Sequence, residues 1–278
     1  MELVAVEEVH EAPAWYSALE RGDMLFFPRM PWSLPAEDQA FLVGLNQADS
    51  AFHKNVAYRP SEDKVTGFDS SAVSDPERLR GVMRGFSHAV LAFLKELLPR
   101  YVEGWRIDYA SFRGFEEEGR DLSFKKRNDL LHIDAFPTRP TGGDLILRTF
   151  VNINPSRSRV WLTGDPFEQV AGRYAAEAGW HGEGGPLEGV RRLLTRRGAY
   201  DRFMLGFHDY LKHNRDYQQN SRKYRWEFPP GSAWMAFTDI VPHAVLSGQY
   251  ALEQTVIVSR KSLQSPGTAP IEILRRLN

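Results

Sequence analysis

The sequence contains no cysteine among its 278 residues. That removes disulfides, thiolate nucleophiles and thiolate metal ligands together, and leaves any metal to imidazole and carboxylate. It also lacks an excess of either charge, with 35 Lys and Arg against 36 Asp and Glu. No global field therefore favours a nucleic acid partner. No stretch approaches the ~20 apolar residues of a membrane span. The opening residues, Met1-Glu2-Leu3-Val4-Ala5-Val6-Glu7-Glu8, have neither the basic start nor the apolar run of a secretory signal. The expectation is a cytoplasmic protein. Repeats and low-complexity segments are lacking too, and the length suits one domain over residues 1–278.

What the chain does have is a change of hydrophobic period. Residues 1–104 read as mainly helical. Pro35-Ala36-Glu37-Asp38 opens one helix, and Asp75-Pro76 opens a stronger one. Leu79, Val82, Met83, Phe86, Val90, Phe93, Leu94 and Leu97 form its stripe, His88 lies off it, and Pro99 ends it. From Trp105 the pattern alternates, with Ile107, Tyr109 and Ser111 on one face. Strands are expected at 129–136, 144–154 and 159–162, with Thr141-Gly142-Gly143 as a turn. Residues 163–223 return to helical patterns, broken by a Gly-rich loop around His181. Strands resume over 224–262, where Ser247-Gly248-Gln249 reads as a tight hairpin turn. Strands, a helical insertion and more strands predict an α+β jelly roll, its core formed by 105–162 and 224–262 and buttressed by helices.

The chemistry centres on His132-Ile133-Asp134. On a strand, residues two apart share a face, so both side chains can grip one metal. A similar pair, His181-Gly182-Glu183, lies in a turn-rich stretch and reads as a surface loop. His243, in Thr238-Asp239-Ile240-Val241-Pro242-His243, is the third candidate ligand. Two imidazoles and one carboxylate on Fe(II) leave three coordination positions open for a keto acid and dioxygen. The keto acid's far carboxylate then needs a cation. Arg148 interrupts the apolar run Leu145-Ile146-Leu147-Arg148-Thr149-Phe150-Val151, and a guanidinium in such a strand requires an anion. That anion is either 2-oxoglutarate or an internal partner such as Asp144 or Asp134. Many enzymes of this kind place the arginine about ten positions past the distal His. Here Glu253 and Gln254 stand there, and Arg260 lies further on.

Other polar residues are candidates beside the cosubstrate. Asn128 precedes His132 on the same face by parity, Asn152 and Asn154 share the Arg148 face, and Gln254 and Thr255 lie on the last strand. Each is equally readable as an ordinary sheet residue. Basic residues cluster as Lys125-Lys126-Arg127, Arg139, Arg191-Arg192, Arg196-Arg197 and Arg222-Lys223-Tyr224-Arg225. Such runs are solvated faces, or else they suit an anionic substrate or membrane surface. His208 and His213 are offset by i, i+5 on one helix, poor for sharing a metal, so His208 reads as packing or substrate contact. Two other classes fit the same residues: a zinc hydrolase, which has no need of Arg148, and a non-catalytic sugar-binding jelly roll.

Three blocks carry a family likeness. Leu131-His132-Ile133-Asp134-Ala135-Phe136-Pro137-Thr138-Arg139-Pro140, the run from Gly142-Gly143 to Leu147-Arg148-Thr149-Phe150-Val151-Asn152-Ile153-Asn154-Pro155, and Phe207-His208-Asp209-Tyr210-Leu211-Lys212 resemble the bacterial 3-deoxy-D-manno-oct-2-ulosonic acid (Kdo) hydroxylases. The resemblance runs over most of the chain. It implies an Fe(II)/2-oxoglutarate-dependent dioxygenase on a double-stranded β-helix core. It further implies hydroxylation of Kdo at C3 in Kdo-lipid A of the lipopolysaccharide inner core. His132, Asp134 and His243 would be the iron ligands, and Arg148 would hold the 2-oxoglutarate carboxylate. Arg127, Arg139, His208 and Arg222 become candidates for contact with the anionic glycolipid, with peripheral association at the inner membrane's cytoplasmic face.

Overall fold

In the computed structural model, residues 1–45, 55–68, 73, 75–182 and 197–277 are described. The chain opens with β1 (Leu3–Ala5), α1 (Pro13–Arg21) and β2 (Met24–Phe27). Pro13 starts α1 at a position that needs no N–H, and Gly22, in the left-handed region, ends it. α2 (Ala36–Val43) follows Pro35, and the hairpin β3 (Val56–Arg59) and β4 (Lys64–Thr66) precedes α3 (Pro76–Leu97). Asp75 caps α3 by accepting from the Arg78 N–H at 2.9 Å. The stripe from Leu79 to Leu97 is buried and His88 is exposed, as the period requires.

A single turn, α4 (Pro99–Val102), leads into β5 (Arg106–Arg113), β6 (Leu145–Asn152) and β7 (Arg159–Thr163). The insertion supplies α5 (Phe167–Tyr174), α6 (Ala199–His213) and α7 (Arg215–Asn220). The chain then returns to strands as β8 (Tyr224–Phe228), β9 (Ala233–Phe237), β10 (His243–Ser247) and β11 (Ala251–Val258), with α8 (Pro270–Arg276) last. Among the described residues, no helix is long and apolar enough to cross a membrane.

Eight strands form one sheet in the order β1-β2-β9-β6-β11-β5-β3-β4, and β10-β7-β8 form a second. A two-bond bridge adds the His132 segment to the small sheet beside β10. The chain therefore shuttles: β5 large, His132 segment small, β6 large, β7 and β8 small, β9 large, β10 small, β11 large. That alternation is a double-stranded β-helix. Parity divides β6 between two cores. Leu145, Leu147 and Val151 pack with Leu79, Phe86 and Leu94 of α3 in the larger core, while Phe150 joins Trp161, Phe228 and Trp234 in the smaller, aromatic core. Arg148 has the parity of Phe150, so it too lies between the sheets.

Two expectations need correction and one needs extending. Residues 1–104 are mainly helical, but they also supply four of the eight large-sheet strands. β1 and β2 continue the sheet beyond β9, and β3 and β4 continue it beyond β5. β2 shows no alternation because Met24, Leu25 and Phe27 are all buried. The expected strand at 129–136 shrinks to the His132 bridge. Ser247-Gly248-Gln249 is not a hairpin either, since it carries the chain from β10 in one sheet to β11 in the other. Gly248 is required there: φ is 120°, and a Cβ would sit 2.9 Å from the Arg159 Cα.

Candidate metal centre

His132 and His243 exchange both backbone hydrogen bonds, N–H to O at 3.1 and 2.9 Å, so they are directly opposite partners and project to one face. Their ring centroids are 4.7 Å apart. The Asp134 N–H donates to Thr238 O at 2.9 Å, which brings its carboxylate to the same point. Single ligand atoms of His132, Asp134 and His243 all lie within 4.8 Å of one another. The His132 Nδ1 lies 2.7 Å from Leu130 O and the His243 Nδ1 2.9 Å from Val241 O. Carbonyls only accept, so each Nδ1 carries the proton and each Nε2 keeps its lone pair for a metal.

Charge supports the same state. Burial, with the neighbouring His243, His208 and Lys212, pushes His132 well below the usual imidazole range. Burial also lowers His243, against the pull of Asp134. Burial works to raise Asp134, yet the neighbouring Arg148 guanidinium outweighs it and holds the carboxyl well below its ordinary value. Two neutral imidazoles and an ionised carboxylate are what a divalent cation requires.

The metal segment has one strand neighbour, and helices of the insertion satisfy its other edge. Gln218 of α7 accepts from the Leu131 N–H at 3.0 Å and donates to Leu131 O at 2.9 Å. His208 of α6 donates from Nδ1 to Ile133 O at 2.6 Å, its ring 4.9 Å from that of His132. A glutamine thus replaces a strand where no strand is available. Nothing in the local pattern of residues 215–220 marks Gln218 for this task.

Arg148 lies beside the cluster. Its Nη1 is 3.2 Å from Asp134 Oδ2 and 3.4 Å from Glu253 Oε1, and its Nε, though buried, has no hydrogen-bond partner. Asp144 pairs with Arg106 instead. Two residues that sequence reasoning did not assign complete the floor. Arg113 donates from Nε and Nη2 to Glu253 Oε2 at 2.9 and 2.5 Å, and Glu253 is 3 % exposed. Behind them Glu117, on the loop after β5, meets Arg159 at 3.3 Å and Arg120 at 3.4 Å. The pairing of β5 with β11 creates this array, and one strand's sequence does not contain it.

The remaining candidates divide. Thr255 is the register partner of Arg148 and faces inward, donating to Glu253 Oε1 at 3.3 Å. Arg139 pairs with Asp108 at 3.0 Å, and Phe136 is flanked by its guanidinium at 4.4 Å and that of Arg148 at 5.4 Å. Arg139 is therefore separated from Arg148 by the Phe136 ring. Gln254 does not reach the site: it faces α3, accepting from Ser87 at 2.7 Å and donating to Asp108 O. Asn152 is buried but donates to Arg157 O and Phe228 O, which pins a loop. Asn154 likewise accepts from the Ser156 and Arg157 N–H groups. Asn128 turns to Glu117, and Arg127 is engaged by Asp129. Arg222 is exposed over Tyr224 at the start of β8, two strands from β10 and roughly 10 Å away by sheet spacing. Arg191, Arg192, Arg196 and Glu183 lie outside the described residues.

A double-stranded β-helix with a buried His-x-Asp and a distal His defines the class of non-haem iron oxygenases. The chain belongs to the 3-deoxy-D-manno-oct-2-ulosonic acid (Kdo) hydroxylase family, whose profile matches residues 4–278, and is accordingly an Fe(II)/2-oxoglutarate-dependent dioxygenase. Among solved structures it resembles the apo form of the Kdo hydroxylase KdoO at 32% identity and a TM-score of 0.86, covering 99% of this chain and 95% of that one. KdoO in complex with α-ketoglutarate and Fe(III) matches at 32% identity and 0.85, over the same shares of both chains. The cobalt(II) complex matches at 33% and 0.84, over 99% of this chain and 94% of that one. A search of curated proteins returned no match.

Proposed function

We propose that this protein hydroxylates Kdo at C3 while the sugar is attached to lipid A, with His132, Asp134 and His243 as the iron ligands and Arg148 as the 2-oxoglutarate anchor. The observation that carries the reading is the convergence of three ligand atoms within 4.8 Å beside a guanidinium whose Nε is unpartnered. Bound Fe(II), 2-oxoglutarate and dioxygen supply the oxidising equivalents, with succinate and CO2 as co-products. The chain's own residues do the rest. The two Nδ1–H donors fix the imidazoles, Asp134 contributes one negative charge, and Trp161, stacked 5.2 Å from the His243 ring, keeps water from that side.

The surroundings suit an anionic glycolipid. Arg139 shares the Phe136 ring with Arg148, and Phe124, against His213 of α6, is 38% exposed beside the exposed Lys125 and Lys126. An aromatic among lysines fits the interface of an anionic bilayer, in keeping with peripheral contact. His208, with Nδ1 committed to Ile133 O, keeps Nε2 for a substrate oxygen.

The test is an anaerobic titration with Fe(II) and 2-oxoglutarate, followed by air and Kdo2-lipid A. A charge-transfer band and substrate-stimulated succinate are expected. Arg148→Ala should abolish 2-oxoglutarate binding while leaving metal binding intact, and His132→Ala should abolish both. A protein that binds metal yet gives neither band nor succinate is not this enzyme, and a zinc hydrolase then becomes the better account.

A further inference from the structure

Glu253 occupies β11 where an arginine would otherwise hold the cosubstrate. Burying a carboxylate is costly unless it is paired, and an apolar pair of the same shape is often at least as stable. Stability alone therefore does not account for it. Its two oxygens have separate tasks. Oε2 takes the fork of Arg113, at 2.9 and 2.5 Å. Oε1 faces Arg148 Nη1 at 3.4 Å and accepts from Thr255 Oγ1 at 3.3 Å. Arg113 is braced from behind by Glu117 at 3.9 Å, so the Glu253 carboxylate has little freedom to rotate.

Arg148 is the less fully bonded member. Its Nη1 is divided between Asp134 and Glu253, and its Nε has no partner. Once a metal draws on the Asp134 oxygens, Glu253 is the carboxylate left to fix the guanidinium. We infer that Glu253 is a positioning residue for the cosubstrate: by holding Nη1 of Arg148 from a carboxylate itself fixed by Arg113 and Thr255, it leaves the Nε edge of Arg148 for the incoming 2-oxoglutarate carboxylate. The inference rests on the proposed cosubstrate role of Arg148. A guanidinium pre-set by one carboxylate loses less freedom on taking a second, so affinity follows from the brace rather than from a new contact.

The experiment uses the full chain loaded with Co(II) and titrated calorimetrically with 2-oxoglutarate in the absence of air. Glu253→Asp keeps the charge, and so the fold, but withdraws the carboxylate by one methylene. Glu253→Gln removes the charge. We expect the 2-oxoglutarate Kd to rise several-fold in the first and roughly tenfold in the second, the loss of one charge-assisted contact. Co(II) affinity without cosubstrate should stay at the wild-type value. In steady state the KM for 2-oxoglutarate should rise while kcat changes much less. A folded Glu253→Asp with wild-type Kd overturns the inference, as does a fall in kcat and Tm at unchanged KM, the signature of a purely structural residue. If the wild type with Co(II) takes up no 2-oxoglutarate, it is the proposed function that fails, and the two results are separable.

Discussion

Asp239 lies four residues before His243, fully enclosed, with Oδ1 accepting from the Ile146 N–H at 3.1 Å and Oδ2 without a partner. Burial pushes its carboxyl up to about 7 from 3.8. A raised carboxyl binds its proton more tightly folded than unfolded, so its penalty is nil below the unfolded value, grows as pH rises, and levels off above about 7. Metal-free protein should thus lose on the order of 2–4 kcal/mol from this group between pH 4 and pH 7. Asp239→Asn keeps the Oδ1 acceptor and should remove that slope, being more stable than wild type at pH 8 and not at pH 4. Urea midpoints across pH test this, and parallel curves for the two proteins would refute it. At this scale the sequence was readable where a residue conflicts with its surroundings. Arg148 in an apolar strand and His132-Ile133-Asp134 in another were visible for that reason. The pairing of Arg113 with Glu253 was not, because Arg113 ends β5 and nothing ties it to a glutamate within β11 until register places the two strands side by side.

The insertion's helices work as substitutes for a strand. Without Gln218, the Leu131 N–H and C=O lose their partners behind the metal segment. Gln218→Ala should cost about 1–3 kcal/mol in stability and weaken Co(II) binding roughly tenfold, as loss of a supporting contact does. Equal Co(II) isotherms for mutant and wild type would show that the bridge alone positions His132. α1 performs a similar task at the other end. The buried Glu20 accepts from Tyr101 and from the N–H of Gln264 at its Oε1, and from the Ser265 N–H at 2.6 Å at its Oε2, so it fastens the segment after β11. Glu20→Gln sets a donor against a donor and should lower stability by about 1–3 kcal/mol with the KM for 2-oxoglutarate unchanged. Helical stripes were legible because burial on one face imposes a period. β1 and β2 were not, since three residues show no period and a strand buried on both faces does not alternate.

Across the molecule, the enclosed charges alternate. Asp134, Glu253 and Glu117 are interleaved with Arg148, Arg113 and Arg159, with Arg120 at the outer end. A divalent cation and a dianion together add no net charge to this array, whereas either alone does. Metal and 2-oxoglutarate should therefore each tighten the other by the same factor, as linkage requires. Calorimetry in both orders of addition measures that factor, and a value of one would show that the two ligands are not coupled through this array. Metal at a hundred times its Kd should also stabilise the fold by about 2.7 kcal/mol, a gain that His132→Ala removes. The jelly roll itself was legible from the order of strands, insertion and strands. Which sheet each strand joins was not, because Gly248 reads as a hairpin turn until the crossing of Arg159 beneath it is seen.

The two-bond bridge between His132 and His243 has a further consequence for how the protein comes into being. It closes a loop of about 110 residues, an entropic demand of about 4 kcal/mol that no local contact offsets. His243 leaves the ribosome about 110 residues after His132. An unfinished chain holds His132 and Asp134 but has nothing to set opposite them. The complete ligand set thus reports a tertiary contact: three ligands face one point only after two segments far apart in the chain have paired.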